Sequence, residues 1–270
     1  MPQGLTVALS LHKYGIKSTV YESRPRSYEA GGYIALGPSA ARVLSHLGLW
    51  DTIVADGYAY ERMEVLNTRG SVVGTFFSGS RRLQGFPSMR TRRTKLREVL
   101  LSEMNKRGIE IVYEKSLHGL TEAGEVVELS FGDGTVVTSG MVIGADGLRS
   151  VVRKVVAPDA QPYYNGLTVM YGLAEKEQLD QETLNFPVPS MTLGPTGSFA
   201  IIPVDPAGDR LGFVIGIQLP DRSKEEWQAF QKDKDGLRAV LAGYFGKESW
   251  PTTVRTLCRE TVDDEILSWP

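Results

Sequence analysis

The sequence has 270 residues, 41% of them hydrophobic and 23% charged, with a formal net charge of −2. That length allows one large core or two modest domains, and the balanced charge excludes a nucleic-acid footprint or an acidic tail. Cys258 is the only cysteine, and His12, His46 and His118 stand far apart, which excludes an internal disulfide and a metal cluster of cysteine and histidine.

The first 22 residues read as a helix over Gly4 to Tyr14, a short strand over Lys17 to Tyr21, and a carboxylate, Glu22, at the strand's end. That is the second half of a dinucleotide-binding βαβ unit. After a loop holding Gly31 and Gly32, Pro38 and Ser39 open a helix with Ala41, Leu44 and Leu47 on one face. "MEVLNTRGSVVGTFF" predicts a hairpin around an Arg-Gly turn. "RTKLREVLLSEMNKRG" predicts an amphipathic helix, with Leu96, Val99, Leu100 and Met104 at helical spacing and Gly108 as its stop. Then come a strand in "IEIVYEK", a hairpin in "VVELSFGDGTVVTSG", and "MVIGADG", whose apolar run predicts a strand in the buried middle of a parallel sheet.

From about Ala157 the texture changes to long β-like runs: "GLTVMYGLA", "SMTLGPTGSFAIIPV" and "RLGFVIGIQL", with a turn at Pro206 to Asp209. "SKEEWQAFQKDKDGLRAVLAGYFG" predicts one helix opened by a capping box, Ser223 with Glu226. No repeat or low-complexity segment interrupts the chain, and no apolar run approaches a membrane span. The expectation is an α/β nucleotide-type domain carrying a second domain built on an antiparallel sheet, soluble and cytoplasmic, with its oligomeric state open.

Two constellations carry chemistry. Glu22 could accept both hydroxyl protons of an adenosine ribose; a solvated glutamate is the alternative. "GADGLRSVVRK" is the stronger signal: a strand delivers Asp146 to a sheet edge, Gly147 lets backbone approach a ligand, and Ser150 caps the helix that follows.

"KSTVYESRP", "GGYIALGPSAARVLSHLGL", "RRTKLREVLL" and "GADGLRSVVRK", in this order, closely resemble the FAD-dependent monooxygenases of the para-hydroxybenzoate hydroxylase type, with the look of their fungal secondary-metabolism members. The resemblance is strong over residues 4–155 and weaker beyond. It implies FAD and NAD(P)H as cofactors, and hydroxylation or epoxidation of an aromatic, polyketide or terpenoid-like small molecule. It assigns Gly4 to the third glycine of the phosphate-binding turn, Glu22 to the ribose, Gly32 to the segment running along the cofactor, and Arg93 to an FAD contact. Asp146 and Gly147 take the Asp-Gly motif used for the pyrophosphate and the nicotinamide cofactor. The domains implied are residues 1–59 and 89–157 for the FAD-type domain, without its first strand, and 60–88 and 158–262 for the inserted substrate domain. Residues 263–270 then begin a return to the FAD domain.

The sequence departs from the family at both ends. Aligned on Gly4, the second glycine of the turn falls on Met1, and the Gly-Asp-Ala-Ala-His motif expected after Trp269 and Pro270 does not occur. Three or four charge-assisted hydrogen bonds lost at about 1.5–3 kcal/mol each would weaken FAD binding by roughly 5–10 kcal/mol. The expectation is therefore a truncated family member with weak or absent FAD binding. Its strands at Lys17–Tyr21 and Met141–Gly144 should keep unpaired inner edges.

Arg90, Arg92, Lys95 and Arg97 surround Arg93, so a solvated basic patch is the alternative for that residue; without interleaved aromatics, nucleic-acid binding is not expected. Catalytic residues are not identifiable. Asp263, Asp264 and Glu265 read as a solvated loop, and Tyr163, Tyr164, Tyr171, Phe186, Phe199 and Phe213 as pocket lining or core. Two further readings stand beside the monooxygenase: a flavin-independent isomerase, cyclase or hydrolase on the same fold, and an inactive truncated product.

Overall fold

The computed structural model describes residues 2–28, 31–261 and 267–269. In chain order the first part holds α1 (Pro2–Lys13), β1 (Val20–Tyr21), β2 (Tyr33–Leu36), α2 (Pro38–His46), α3 (Trp50–Val54), β3 (Tyr58–Tyr60), β4 (Arg62–Leu66), β5 (Val72–Phe77), α4 (Arg81–Gln84) and β6 (Ser88–Arg92). There follow α5 (Arg93–Lys106), β7 (Ile111–Val112), β8 (Leu117–Ala123), β9 (Val126–Phe131), β10 (Val136–Ser139) and α6 (Val151–Val156). The last part holds β11 (Leu167–Glu175), α7 (Gln181–Leu184), β12 (Ser190–Gly194), β13 (Gly197–Pro203), β14 (Arg210–Gln218), α8 (Lys224–Lys232), α9 (Lys234–Phe245), α10 (Thr252–Arg259) and β15 (Leu267–Trp269).

Two compact units divide the chain: Met1–Ala30 with Thr94–Tyr163, and Gly31–Arg93 with Tyr164–Pro270. In the first unit, β1 pairs in parallel with β7, Val20 opposite Ile111 and Tyr21 opposite Val112. Leu5, Ala8 and Leu9 form the buried face of α1, and Leu96, Val99, Leu100 and Met104 that of α5, the spacing that the sequence predicts. Strands β8, β9 and β10 form an antiparallel sheet, its β9–β10 turn closed by Gly134 at φ 82°.

The second unit is built on a seven-stranded sheet in the order β15-β11-β14-β13-β12-β4-β5, antiparallel except where β12 runs parallel to β4. Met170, Phe199, Phe213 and Ile215 from its strands are buried with Leu237, Leu241, Phe245, Trp250 and Val254 from the C-terminal helices and the loop before α10. Phe199 stacks on Phe213 at 4.8 Å and meets Phe245 edge-on at 5.3 Å. A second sheet, β2-β6-β3, belongs to the same unit, and Tyr33 of β2 is buried with Leu173 and Val204. That packing groups residues 31–59 and 89–93 with the large sheet, whereas the sequence reading placed them in the FAD-type domain.

Several expected elements differ. The strand expected over Lys17–Tyr21 is reduced to β1, Val20–Tyr21. "MVIGADG" is not a buried strand: residues 141–147 join no ladder among the described residues, and Met141 is 71% and Ile143 49% exposed. Apolar β-branched composition yields a strand only where a neighbour supplies the ladder. The single helix expected after Ser223 is two, because Asp233 ends α8 and its side chain accepts the Gly236 N–H to cap α9. Residues 267–269, expected to start a return to the first domain, pair instead as β15 with β11 of the second unit. Asp263, Asp264 and Glu265 lie outside the described residues, as do Met1 and Pro270.

Candidate cofactor site

Glu22 leaves the carboxyl end of β1, its N–H bonded to the Val112 carbonyl at 2.9 Å and its own carbonyl accepting the Lys115 N–H at 2.9 Å. Its position is therefore fixed by the parallel pair. Its carboxylate is half-buried and accepts the Arg24 N–H at 3.0 Å. Gly4, on α1, lies against the same strand: a methyl group there would stand 3.9 Å from Val20 Cγ1 and 3.6 Å from Ala145 Cβ, ordinary contact distances. The helix thus packs on both chain segments, and the space at Gly4 does not demand glycine.

Gly147 has φ 81°, and nothing lies within 4 Å of where its Cβ would be. Its backbone is open to a ligand, and its conformation is one that other residues adopt only under strain. Asp146 beside it is differently employed. Its carboxylate accepts the Ser150 hydroxyl at 2.5 Å and the Val151 and Val152 N–H groups at 2.7 and 3.4 Å, while Ser150 Oγ accepts the Arg153 N–H at 2.9 Å. Partial desolvation raises the Asp146 pKa, but these hydrogen bonds outweigh it and hold the carboxyl below its usual value. Asp146 and Ser150 together cap α6.

In the second unit the structure brings Gly32 and Arg93 together: the Gly32 carbonyl accepts the Arg93 N–H at 3.0 Å, and Gly32 has φ 83°. Arg93 opens α5 and is half-buried. The cations around it do not form one solvated patch. Arg92 pairs with Asp56 at 3.2 Å, Lys95 with Glu98 at 3.7 Å, and Arg97 donates to the Arg26 carbonyl at 2.8 Å.

Arg90 is the residue that the sequence reading missed. It is 2% exposed on β6, its Nη1 has no hydrogen-bond partner among the described residues, and its Cζ stands over the Tyr33 ring at 5.7 Å. Burial pulls its pKa down to about 10, opposed by the phenols of Tyr60, Tyr171 and Tyr33. Of the other aromatics singled out, Phe199 and Phe213 are core, Phe186 packs against that core, and Tyr163 is 86% exposed. Tyr164 donates its hydroxyl to the Leu219 carbonyl at 2.9 Å. Among the described residues no cluster of three or more His, Cys, Asp or Glu is placed to hold a metal ion, and no helix is long and apolar enough to cross a membrane.

The residues present fit part of FAD. Within the first unit, Glu22 offers an acceptor suited to a ribose diol at the end of a parallel strand, and Gly147 offers an open backbone; Arg93 belongs to the second unit. Asp146, with its carboxylate bonded to Ser150 and α6, serves the site by holding the Gly147 turn in place.

The FAD binding domain family matches residues 1–234. A 3-amino-4-hydroxybenzoate 2-monooxygenase of Streptomyces platensis, PtnB3, is 31% identical over 246 residues, 89% of this chain and 60% of that protein. An FAD-dependent urate hydroxylase of Klebsiella pneumoniae is 26% identical over 261 residues, 94% of this chain and 63% of its own length. The crystal structure of Klebsiella pneumoniae HpxO with FAD and uric acid has the same fold, with a TM-score of 0.80 and 24% identity, covering 99% of this chain and 65% of that one. The matched region spans between 35% and 63% of the length of these curated relatives. The family match and these relatives show that the chain belongs to the FAD binding domain family, among the FAD-dependent monooxygenases of the para-hydroxybenzoate hydroxylase type.

Proposed function

We propose that the chain is the cofactor- and substrate-binding part of an FAD- and NAD(P)H-dependent hydroxylase acting on an aromatic small molecule. The observation that carries this reading is Glu22, fixed at the carboxyl end of β1 by its backbone bond to Val112. Within it, Glu22 accepts the ribose hydroxyls of the adenosine half, and Gly147 lets the backbone reach the cofactor without a side chain between them. Arg93, which the resemblance assigns to an FAD contact, lies in the second unit with its backbone tied to Gly32. Bound FAD would supply the redox chemistry, with electrons from NAD(P)H and oxygen from dioxygen. The second unit's sheets hold the aromatic substrate, which relatives named for 3-amino-4-hydroxybenzoate, urate and 3-hydroxybenzoate support. A place in secondary metabolism rests on the resemblance to fungal members.

Flavin retention in this reading is weak. Residues 141–147 precede α6 without a ladder among the described residues, so the Gly147 turn is anchored chiefly by the Asp146–Ser150 cap. A loosely held turn costs ordering free energy on binding. The experiment is reconstitution of purified protein with excess FAD and NADPH, followed by product analysis under labelled dioxygen. FAD-dependent transfer of one labelled oxygen to an aromatic substrate supports the reading. Turnover without FAD, or product oxygen drawn from water, overturns it.

A further inference from the structure

A strand at the end of a sheet offers a row of unpaired N–H and C=O groups, and folds blunt such edges with charges or proline. β5 closes one end of the seven-stranded sheet and pairs only with β4 among the described residues. Its sequence, VVGTFF, has no charge and no proline. Val72, Val73, Phe76 and Phe77 are 52%, 63%, 52% and 72% exposed, whereas Phe199 and Phe213 of the same sheet are fully buried. Single apolar residues at a surface need no explanation, but four on one unpaired strand form a patch.

The strand is complementary to itself. Its register with β4 shifts at Val65 and Leu66, which leaves Val73 as the inserted residue and Gly74 to Phe77 regular against Val65 to Arg62. A two-fold axis perpendicular to the sheet keeps each residue on its own face. Antiparallel pairing of β5 with itself must therefore centre on a residue rather than between two. Centred on Thr75, it sets Gly74 opposite Phe76 of the second copy, and nothing lies within 4 Å of where a Gly74 Cβ would stand. Thr75 then meets its own counterpart, its hydroxyl already bonded to Glu64 at 3.0 Å. At about 150–250 Å² per aromatic side chain and less per valine, the open parts of these four side chains amount to roughly 400 Å² a copy. Two copies give about 800 Å² before backbone and flanking residues are counted, close to the roughly 1,000 Å² that a specific interface needs.

We propose that β5 is the dimerisation edge of this chain, pairing antiparallel with β5 of a second copy about a two-fold axis at Thr75. The two large sheets then run on as one. The modest area makes the dimer a weak one that depends on concentration.

The test is sedimentation equilibrium of the full chain from about 1 to 200 μM. The average mass should rise from that of one chain to that of two and stop there. Phe77→Lys should weaken association at least about ten-fold, because the new charge must be desolvated or the ladder broken. Leu83→Lys, at a 77% exposed residue outside the strand, should leave association unchanged. Thr75→Cys should give a disulfide-linked dimer on mild oxidation, since opposed antiparallel residues lie about 4.5–5.5 Å apart at Cα, within disulfide reach. Cys258 is buried and does not compete. A monomer throughout the range, growth beyond two chains, undiminished association of Phe77→Lys, equal loss in Leu83→Lys, or no cross-link through Thr75→Cys would overturn the proposal. So would a monomer that sediments instead with anionic lipid vesicles, which assigns the patch to a membrane surface. The mass of the unaltered chain decides the matter even if a variant fails to fold.

Discussion

Asp146 and Ser150 hold each other at 2.5 Å, and the pair closes the N-terminus of α6: carboxylate to Val151 and Val152, hydroxyl to Arg153. Removing the carboxylate removes a cap and frees the turn that carries Gly147. Asp146→Ala should cost about 1–2 kcal/mol in urea unfolding and raise amide exchange over residues 151–156.

The same pair gives a pH dependence whose sign is fixed. The folded Asp146 pKa lies below the ordinary value of 3.8, so its stabilisation is fully present above that value and is lost as pH falls through the lower, folded one. Between pH 7 and 3 the unaltered protein should lose more stability than Asp146→Asn does. Parallel curves for the two would contradict the assignment.

Two glycines of the candidate site should respond in opposite directions to alanine. At Gly4, inside α1, the added methyl meets Ala145 and Val20 at 3.6 and 3.9 Å, so helix propensity dominates and Gly4→Ala should stabilise by up to about 1 kcal/mol. At Gly147 there is space but φ is 81°, so Gly147→Ala should destabilise by about 1–2 kcal/mol. Thermal unfolding of the two variants measures both.

Cys258 sits in α10 with 7% exposure, and burial pushes its thiol up to about 12. The thiolate is the reactive form, so the native protein should resist a thiol reagent at pH 8 and react fully in denaturing urea. Prompt labelling of the native protein would show that α10 opens readily.

Arg90 should behave as a liability when no ligand is present. Arg90→Met should leave the urea midpoint of the ligand-free protein unchanged or raise it, because an unanswered buried charge is replaced by an apolar chain. A loss of several kcal/mol would mean that the guanidinium is held by contacts worth more than its desolvation.

Local chemistry was legible in the sequence, and long-range pairing was not. The helix over Arg93–Lys106 and the hairpin around Gly134 follow from side-chain spacing and turn residues that sit next to one another in the chain. Glu22 and Gly147 are candidates by their position relative to such elements. Met141–Gly144 has the composition of a buried strand, yet whether it is one depends on a neighbour that its own residues cannot specify. The break at Asp233 is marked by an aspartate three residues before Gly236, a capping pattern that competes with the helical spacing of Trp227, Phe230, Leu237 and Leu241. Arg90 was hidden in a run of basic residues. Only the close approach of Gly212 and Tyr33, both distant in the chain, reveals that it is buried while Arg92 is paired at the surface.

The central claim is that this chain binds FAD with Glu22 on the adenosine ribose, and an equilibrium titration of FAD fluorescence tests it most directly. The account predicts saturable quenching that ADP competes away, with an affinity weaker by at least roughly ten-fold in Glu22→Ala, the least that the loss of one of its two charge-assisted hydrogen bonds would cost. Quenching that never saturates, or equal affinities for the two proteins, would contradict it.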